Sequence, residues 1–153
     1  MTNVLEIVKY PNPILETVCE PIESITEEIK SLVGDMLVTL AAAKNGVGLA
    51  APQVGVIKRL FVMDTRCVTG GQFEIFINPK IVARQGSCKY NEGCLSSPGI
   101  NKQMKRYRRV RVEYTNLSGD LITQEFEGLS SICIQHEIDH LNGIHFLSDK
   151  AGI

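Results

Sequence analysis

Several features are missing from this sequence of 153 residues, and each absence excludes a class of protein. No stretch approaches the ~18 consecutive apolar residues of a membrane-spanning helix. The amino terminus has no basic stretch ahead of an apolar run, so it does not resemble a secretory signal. None of the five cysteines are spaced Cys-x-x-Cys, which excludes a zinc ribbon. We therefore expect a cytoplasmic protein that has reduced thiols and does not bind a membrane.

An excess of charge of one sign is also missing. The 16 Lys and Arg residues face 17 Asp and Glu residues, which gives a formal net charge of −1. This balance argues against a protein whose whole surface binds nucleic acid or anionic lipid. Six basic residues nevertheless fall within ten positions that hold no acid. They are Lys102, Lys105, Arg106, Arg108, Arg109 and Arg111.

We interpret this basic segment, residues 102–111, as a solvated strand face. Its second half alternates arginine and valine, and in a strand this alternation would turn Arg109 and Arg111 to solvent.

The composition fits one globular domain over residues 1–153, because 44% hydrophobic and 22% charged residues are enough for a core. Residues 1–25 contain three prolines and little periodicity, which indicates an irregular arm. Apolar residues then recur at helical spacing, with Glu27 in the first turn, Lys44 in the last turn and Asn45-Gly46 as a stop signal. This pattern predicts an amphipathic helix.

The rest of the chain combines short β-rich runs with one further helix. The helix, predicted over residues 129–142, has apolar side chains in nearly all directions, which is typical of a helix buried in the middle of a domain. Strands are predicted at Leu60–Met63, Phe73–Asn78, Val110–Tyr114 and Leu121–Phe126, the last two forming a hairpin. These elements predict an α+β fold in which mixed or antiparallel sheets surround the buried helix.

The buried helix carries the pattern His-Glu-x-x-His at residues 136–140. Positions i and i+4 lie on one helix face, so His136 and His140 can converge on one cation while Glu137 reaches a water beside it. Burial supports this interpretation, because a dication would compensate for polar groups that are otherwise costly in a core. The pattern therefore predicts a metal-binding helix.

A catalytic metal normally has three protein ligands and one open position, so a third ligand is needed. His145 falls one residue short of the third histidine of the extended metalloprotease pattern. Cys133 lies about 10 Å along the helix axis from His140, and we interpret it as an apolar wall residue. Cys94 is the better candidate, because the turn-rich segment 91–99 can present a thiolate together with backbone groups. Taken alone, Cys94 is weak evidence, and a buried free thiol is the favoured interpretation.

The segment from Gly46 to Gln53 is a further candidate site. Its glycines permit close approach of a ligand to the backbone, and Gln53 offers a neutral donor to a developing oxyanion. It lacks the glycine and lysine pattern of a phosphate loop. From these residues alone, a helix end followed by a tight strand start is the favoured alternative.

Three segments resemble, in order and spacing, the motifs of the peptide deformylases. They are Gly46-Val47-Gly48-Leu49-Ala50-Ala51-Pro52-Gln53, Glu92-Gly93-Cys94-Leu95-Ser96 and Gln135-His136-Glu137-Ile138-Asp139-His140. The Pro11-Asn12-Pro13-Ile14-Leu15 arm and the Leu141-Asn142-Gly143 continuation are also similar to that family, so the resemblance spans about residues 5–149.

The resemblance implies a metal-dependent hydrolase that removes the N-formyl group from N-formylmethionyl peptides of nascent proteins and releases formate. Cys94, His136 and His140 would hold one divalent metal ion, typically ferrous iron in this family, with zinc, nickel or cobalt able to replace it. Glu137 would be the general base that takes a proton from the attacking water and passes it to the leaving amine.

The resemblance also implies how the substrate would bind. The Gln53 side chain and the Leu95 backbone N–H would stabilise the tetrahedral oxyanion. The backbones of Gly48 and Gly93 would pair with the extended peptide as a short added strand. The methionine pocket would be lined by Val47, Leu129, Ile132 and Cys133.

Two features depart from the family's pattern. Ser97 stands where the family commonly has an apolar residue, so the rim of the groove is expected to be more open or more polar. The chain ends 13 residues after His140, which resembles short forms without a C-terminal helix, including some encoded by phages. We expect an active monomer in the cytoplasm of a bacterium or a phage-infected host. A sharper alternative for the basic segment is a contact with ribosomal RNA near emerging chains.

Two other functions remain open at this point. A metalloprotease or other amide hydrolase could use the same helix, and it would take a third His or Glu ligand instead of Cys94. A structural metal site in a binding module would need a fourth protein ligand, for which Cys88 is the residue to inspect.

Overall fold

A computed structural model of the chain describes residues 2–43, 46–65 and 72–153. The described residues form two α-helices, α1 (Glu27–Ala42) and α2 (Leu129–Leu141), and two short 3₁₀ turns at Pro13–Glu16 and Ala51–Val54. They also form seven strands. These are β1 (Gly48–Ala50), β2 (Leu60–Asp64), β3 (Phe73–Gln85), β4 (Cys88–Cys94), β5 (Ser97–Arg106), β6 (Arg109–Thr115) and β7 (Leu121–Glu127).

The strands pair antiparallel in two sheets. The larger sheet has the order β1-β2-β3-β6-β7, and the smaller one consists of β4 and β5. Strand β3 is long enough to pair with β2 through its first half and with β6 through its second half, with register shifts between Ile77 and Lys80 and between Ile81 and Ala83. The predicted α+β fold with antiparallel sheets and a buried helix is confirmed, as is the β6–β7 hairpin.

Strand β2 separates two halves of the core. Its alternating side chains point to opposite faces, as a strand requires. Phe61 and Met63 pack in the cluster that contains α2, whereas Leu60 and Val62 pack in the cluster that contains α1. Helix α2 therefore lies inside the protein, and most of its residues are buried, including both of its histidines.

The helix ends follow the signals in the sequence. The Thr26 side chain caps α1 by accepting a hydrogen bond from the backbone N–H of Ile29. Helix α1 ends at Ala42, before the predicted stop, and Lys44 and Asn45 lie outside the described residues. Helix α2 ends one residue before the predicted position 142, and Gly143 follows with φ of 74°. A side chain at Gly143 would place its Cβ 2.7 Å from the carbonyl oxygen of Glu16, so the arm packs directly against this end of the helix.

The prediction that residues 91–99 form a turn-rich segment is wrong. Strand β4 continues to Cys94 and β5 begins at Ser97, so only Leu95 and Ser96 lie in the turn. The hairpin escaped detection because most of its side chains are polar and exposed, and the apolar alternation of a half-buried strand is missing. The short strand β1 agrees with the alternative interpretation of segment 46–53 as a strand start.

The interpretation of the basic segment as a solvated face holds for Arg108, Arg109 and Arg111, which are exposed. Arg109 and Arg111 are exposed on β6 and pair across the hairpin with Glu127 at 2.8 Å and Glu125 at 2.7 Å. It is wrong for Arg106, which is only 2% exposed. Two acidic side chains described below draw this guanidinium inward.

Cys19, Cys88, Cys94 and Cys133 are free thiols, and Cys67 lies outside the described residues. In residues 2–43, 46–65 and 72–153, no helix is long and apolar enough to cross a membrane.

His145 connects the N-terminal arm to the C-terminal end of the chain. Its buried ring stacks on Tyr10, with ring centroids 4.4 Å apart. The backbone N–H of Leu147 donates to Nδ1, so Nε2 carries the proton and donates it to the Ser97 hydroxyl at 3.1 Å. Burial, followed by the charge of His136, lowers the pKa of His145 from 6.5 to about 4. The ring is thus neutral in the folded protein at neutral pH.

This neutral histidine predicts a pH-dependent contribution to stability. Between pH 6.5 and pH 4 the unfolded chain binds a proton at His145 that the folded protein does not bind. The contribution of the neutral His145 ring to the free energy of unfolding should therefore be fully present above pH 6.5 and be lost progressively on acidification to pH 4. His145→Gln, which keeps a donor but does not titrate, should show a flatter profile in urea unfolding. Parallel pH profiles for the two proteins would contradict the assignment.

Candidate metal centre and active site

Three side chains from two elements meet beside helix α2. His136 and His140 lie one turn apart, with ring centroids 5.0 Å apart, and Cys94 ends strand β4. The Cys94 Sγ is 3.4 Å from Nε2 of His140. One candidate ligand atom from each of the three residues lies within 4.8 Å of the other two. The sequence predicted these three residues as a set, and the fold brings them together.

The donor set fits a divalent transition metal. A thiolate and two imidazoles suit iron, zinc, cobalt and nickel, and three donors leave a position open. Nδ1 of His140 is buried without a hydrogen-bond partner among the described residues. Nδ1 of His136, by contrast, lies 2.8 Å from Oε1 of Glu92, and this contact leaves Nε2 available toward Cys94. The second nitrogen of a metal-binding histidine commonly has such a carboxylate partner.

Glu137 is a buried carboxyl group at the edge of the cluster. It is 3% exposed, and its Oε1 has no hydrogen-bond partner among the described residues. Burial, opposed in part by the charge of His136 and reinforced by Glu92, raises the pKa of Glu137 to about 7. Such a group can both accept and release a proton at neutral pH.

Opposing effects set the charges around this carboxyl group. Burial alone would raise the pKa of Glu92. Hydrogen bonds from Arg106 and His136 lower it by a larger amount, so the net shift of the pKa is downward. Burial lowers the pKa of His136, and hydrogen bonds to Cys94 and Glu92 outweigh that effect and raise it. Burial lowers the pKa of His140, and the nearby charge of His136 lowers it further, so this pKa falls well below 6.5. The His140 imidazole is therefore neutral and able to donate a lone pair.

Gln53 presents an amide donor to the same space. Its side chain is 1% exposed, and its Oε1 accepts the backbone N–H of Ala50 at 2.9 Å. This contact fixes the orientation of the amide, so that Nε2 donates to the Ser96 hydroxyl at 3.1 Å and lies 3.5 Å from Cys94 Sγ. The amide N–H groups thus face the cluster.

A cavity of about 480 Å³ opens in front of these groups. Segments 46–53, 90–101 and 129–137 all contribute to it, which brings the three sequence motifs to one place. All six residues predicted to bind substrate line the cavity: Val47, Gly48, Gly93, Leu129, Ile132 and Cys133. The same cavity is lined by Gln53, Leu95, Cys94, His136 and Glu137.

The alternative ligands lie elsewhere. Both ring nitrogens of His145 are already engaged, by Leu147 and Ser97, so His145 does not belong to the cluster. Cys88 is at the opposite end of β4 from Cys94. Cys133 is buried against the cavity wall, and burial raises its pKa well above 9, so it remains a neutral thiol. Ser97 lines the cavity, but its buried hydroxyl is engaged with His145, so the prediction of a more polar rim stays a prediction.

Comparison with known proteins identifies the family. The family model described as polypeptide deformylase matches residues 4–151. The chain belongs to the peptide deformylase family. A peptide deformylase of Desulfitobacterium hafniense is 49% identical over 148 residues, covering 97% of this chain and 95% of that relative. A peptide deformylase of Neisseria gonorrhoeae is 47% identical over 146 residues, covering 94% of this chain and 85% of that relative.

Solved structures agree with this assignment. The Met-Ala-Ser-bound crystal structure of a class I type b peptide deformylase from Acinetobacter baumannii superposes with a TM-score of 0.89. It is 32% identical in sequence, and the match covers 96% of this chain and 98% of that one. The enzyme is thus a metal-dependent hydrolase that removes the N-formyl group from N-formylmethionyl peptides of nascent proteins and releases formate. The family and function inferred from the three motifs are confirmed.

Sequence reasoning gave Glu92 little weight in this deformylase and assigned Arg106 to the surface. A signal for Glu92 exists, because residues i and i+2 of a strand share a face and Glu92 stands two residues before Cys94. It becomes readable only when residues 88–94 are recognised as a strand. For Arg106 the signal is the apolar Met104 two residues earlier, which is buried on the same face of the strand. The basic residues on either side make this signal hard to recognise.

The close packing around Gly48 generates a prediction for this deformylase. A Cβ at Gly48 would lie 2.7 Å from Oε2 of Glu137 and 2.8 Å from Sγ of Cys133. Gly48→Ala should displace the Glu137 carboxylate and lower kcat/KM for a formylated peptide by about 100-fold, since small misplacements at a reacting centre have effects of this size.

A suitable control is Gly34→Ala in helix α1, where the nearest atom is a movable methyl group of Thr2 at 3.0 Å. This change should leave activity intact, because it is remote from the cavity. Wild-type activity in Gly48→Ala, measured as formate release, would show that Glu137 tolerates displacement.

Proposed function

We propose that Cys94, His136 and His140 hold the divalent metal ion of this deformylase and that Glu137 is its general base. The observation that carries the proposal is the convergence of three donor atoms within 4.8 Å, beside a buried carboxylate oxygen that has no partner among the described residues. When bound, a divalent cation makes a water molecule more acidic and polarises a carbonyl group. The donor set is compatible with Fe²⁺ as the ion in the cell and with Zn²⁺, Ni²⁺ or Co²⁺ in preparations.

Glu137 would move the proton in both steps of the hydrolysis. Its carboxylate accepts a proton as water attacks the formyl carbon, and it then delivers this proton to the amine nitrogen as the C–N bond breaks. The pKa of about 7 supports this role, because a group that must accept and release a proton works best near the ambient pH. The products are formate and a peptide with a free amino terminus.

Gln53 and the backbone N–H of Leu95 would stabilise the oxyanion that forms on the formyl oxygen. The Gln53 amide is oriented by the backbone N–H of Ala50, and the N–H group that points toward Cys94 Sγ would donate to the oxyanion. Leu95 occupies the turn directly after Cys94 and lines the cavity. Donors that are fixed before the reaction stabilise developing charge more effectively than mobile ones.

The substrate peptide would lie between two strand edges. Strand β1, which contains Gly48, is an edge strand of the larger sheet, and Gly93 lies on β4 across the cavity. Pairing with these backbones provides affinity that is independent of the peptide sequence. An apolar side chain such as methionine would contact the wall that is formed by Val47, Leu129, Ile132 and Cys133. The Acinetobacter baumannii relative has been crystallised with Met-Ala-Ser bound, which is the product of a formylated Met-Ala-Ser substrate, and we expect this chain to bind the same class of peptide.

The role of Glu137 leads to a direct test. Glu137→Gln keeps the size of the side chain and removes its ability to accept a proton. We expect the variant to retain a full equivalent of metal and to lose 10²- to 10⁴-fold in kcat for formyl-Met-Ala-Ser, the usual size of a general-base contribution. Metal analysis and formate release measure the two quantities.

The same assay separates deformylation from peptide cleavage. Unformylated Met-Ala-Ser should not be hydrolysed by the wild-type enzyme. Full turnover by Glu137→Gln would refute the assignment of the base, and loss of metal from this variant would make Glu137 a ligand instead.

We further propose that the basic segment contacts the ribosome, where nascent chains appear in the cytoplasm. Arg106 is buried, and Arg109 and Arg111 already pair with glutamates, so the contact would rely on the exposed Lys105 and Arg108. Phosphate contacts of this kind weaken steeply as the salt concentration rises.

The ribosome contact is testable by co-sedimentation. A Lys105→Glu/Arg108→Glu double variant should sediment less with ribosomes than the wild type, and binding of the wild type should fall as salt is raised from 50 to about 200 mM. Formate release from a short peptide should be the same for both proteins, because neither residue lines the cavity. Equal and salt-independent sedimentation would leave the solvated-face interpretation.

A further inference from the structure

We propose that Arg106 is a positioning residue of the deformylase site. It holds the His136 imidazole in its metal-binding orientation through Glu92, and it ties together the two elements that provide the metal ligands. The inference rests on the proposed assignment of Cys94, His136 and His140 as those ligands. Arg106 belongs to the basic segment, which its sequence alone indicates to be a solvent-exposed face.

The first observation is a two-point clamp on Glu92. Nε of Arg106 donates to Oε2 of Glu92 at 2.7 Å, and Nη2 donates to Oε1 at 2.9 Å. Both side chains are buried, with exposures of 2% and 4%. A guanidinium group that contacts both oxygens of a carboxylate fixes the plane of the carboxylate as well as its place. Glu92 is therefore held in one orientation.

The second observation is what that orientation does. Oε1 of Glu92, the oxygen that accepts from Nη2, also lies 2.8 Å from Nδ1 of His136. A carboxylate only accepts hydrogen bonds, so Nδ1 donates its proton to Glu92, and Nε2 is the nitrogen that faces Cys94. With Nδ1 engaged in this way, Nε2 is the nitrogen left to bind a cation, and the ring orientation is set by an acceptor that Arg106 positions. Arg106 does not touch the metal ligands and acts through Glu92.

The third observation is a second arm that reaches the helix. Nη1 of Arg106 donates to Oδ2 of Asp139 at 2.6 Å. Asp139 is the residue before His140 on α2, whereas Glu92 stands two residues before Cys94 on β4. One guanidinium thus joins the strand that carries the cysteine ligand to the helix that carries both histidine ligands. The neighbouring residue strengthens this join, because the backbone N–H of Tyr107 donates to Oε1 of Gln135 on α2.

Lysine cannot reproduce this arrangement. Its ammonium group is a single point of charge, whereas three separate nitrogens of the Arg106 guanidinium contact two carboxylates. Arg106→Lys would keep a cation near Glu92 and Asp139 but release the fixed plane of Glu92. Arg106→Gln would in addition leave two acidic groups without their cation in a buried place. The two variants therefore separate charge from orientation.

The experiment measures metal affinity by competition with a chelator, for the full-length enzyme and its variants. We expect Arg106→Gln to weaken metal binding about 10- to 100-fold, as is typical for groups that orient a metal ligand, and Arg106→Lys to fall between it and the wild type. Arg111→Gln is the matched control, because this exposed arginine also pairs with a glutamate but lies remote from the site. It should bind metal as the wild type does.

Two further measurements distinguish positioning from a general effect on folding. If Arg106 acts through Glu92, then Glu92→Gln should weaken metal binding to a similar extent. The double variant Arg106→Gln/Glu92→Gln should then bind metal no less tightly than the single variant with the lower affinity. In the Zn²⁺-loaded protein, ¹⁵N shifts of the His136 ring should report a hydrogen-bonded Nδ1–H in the wild type and a weakened hydrogen bond at Nδ1 in Arg106→Gln. If Arg106→Gln fails to fold, Arg106→Lys and Glu92→Gln provide the same comparison.

The outcomes separate this inference from the proposed metal site. If Cys94→Ala binds metal as tightly as the wild type does, the ligand assignment itself is overturned. A different result would overturn only the role of Arg106. In that case Cys94→Ala loses its metal as expected, but Arg106→Gln and Arg106→Lys bind metal with wild-type affinity. Additive losses in the double variant would assign Arg106 a role in stability that does not pass through Glu92.

Discussion

The constraint on which this structure depends is the burial of a polar helix in an apolar core. Helix α2 lies behind the sheet and carries two histidines and two acidic residues. A buried group of this kind needs a partner, because removing a charge from water without compensation is costly. The Glu92 carboxylate is the partner of the His136 ring, and the Arg106 guanidinium pairs with Asp139. The atoms left without a partner among the described residues include Oε1 of Glu137 and Nδ1 of His140, and both belong to the candidate site.

The sheets place this helix against substrate-sized space. Because β1 is a short edge strand and β4–β5 form a separate hairpin, a cavity remains between them in front of α2. Gly48 lies so close to Glu137 and Cys133 that only a residue without a side chain fits there. The deformylase site therefore depends on backbone proximity as much as on its charged groups.

Much of this organisation could be predicted from local patterns. The helical spacing of apolar residues located α1 and α2 to within a few residues, and alternating runs located β2, β6 and β7. The His-Glu-x-x-His pattern combined a helix with a pair of metal-binding side chains, and two further motifs indicated the family, which is confirmed. The roles of the individual site residues remain predictions that the geometry favours.

The hairpin and its buried arginine could not be predicted in the same way. Strands β4 and β5 carry mostly polar exposed residues, so they lack the alternation by which a half-buried strand is recognised. Arg106 stands among five other basic residues, and the only local sign of its inward face is the apolar Met104 two positions earlier. Its partners are 14 and 33 positions away. Contacts between such distant residues are formed by the fold.

The sequence by itself determined the family, the chemistry of the donors and the burial of α2, because these follow from residue types at short, regular spacings. Only the tertiary structure decided which of the remaining polar residues complete the site. Folding brings Glu92 and Arg106 from one hairpin against His136 and Asp139 on the helix. The physical reason is that buried charges are satisfied by proximity in space, which local sequence patterns do not encode.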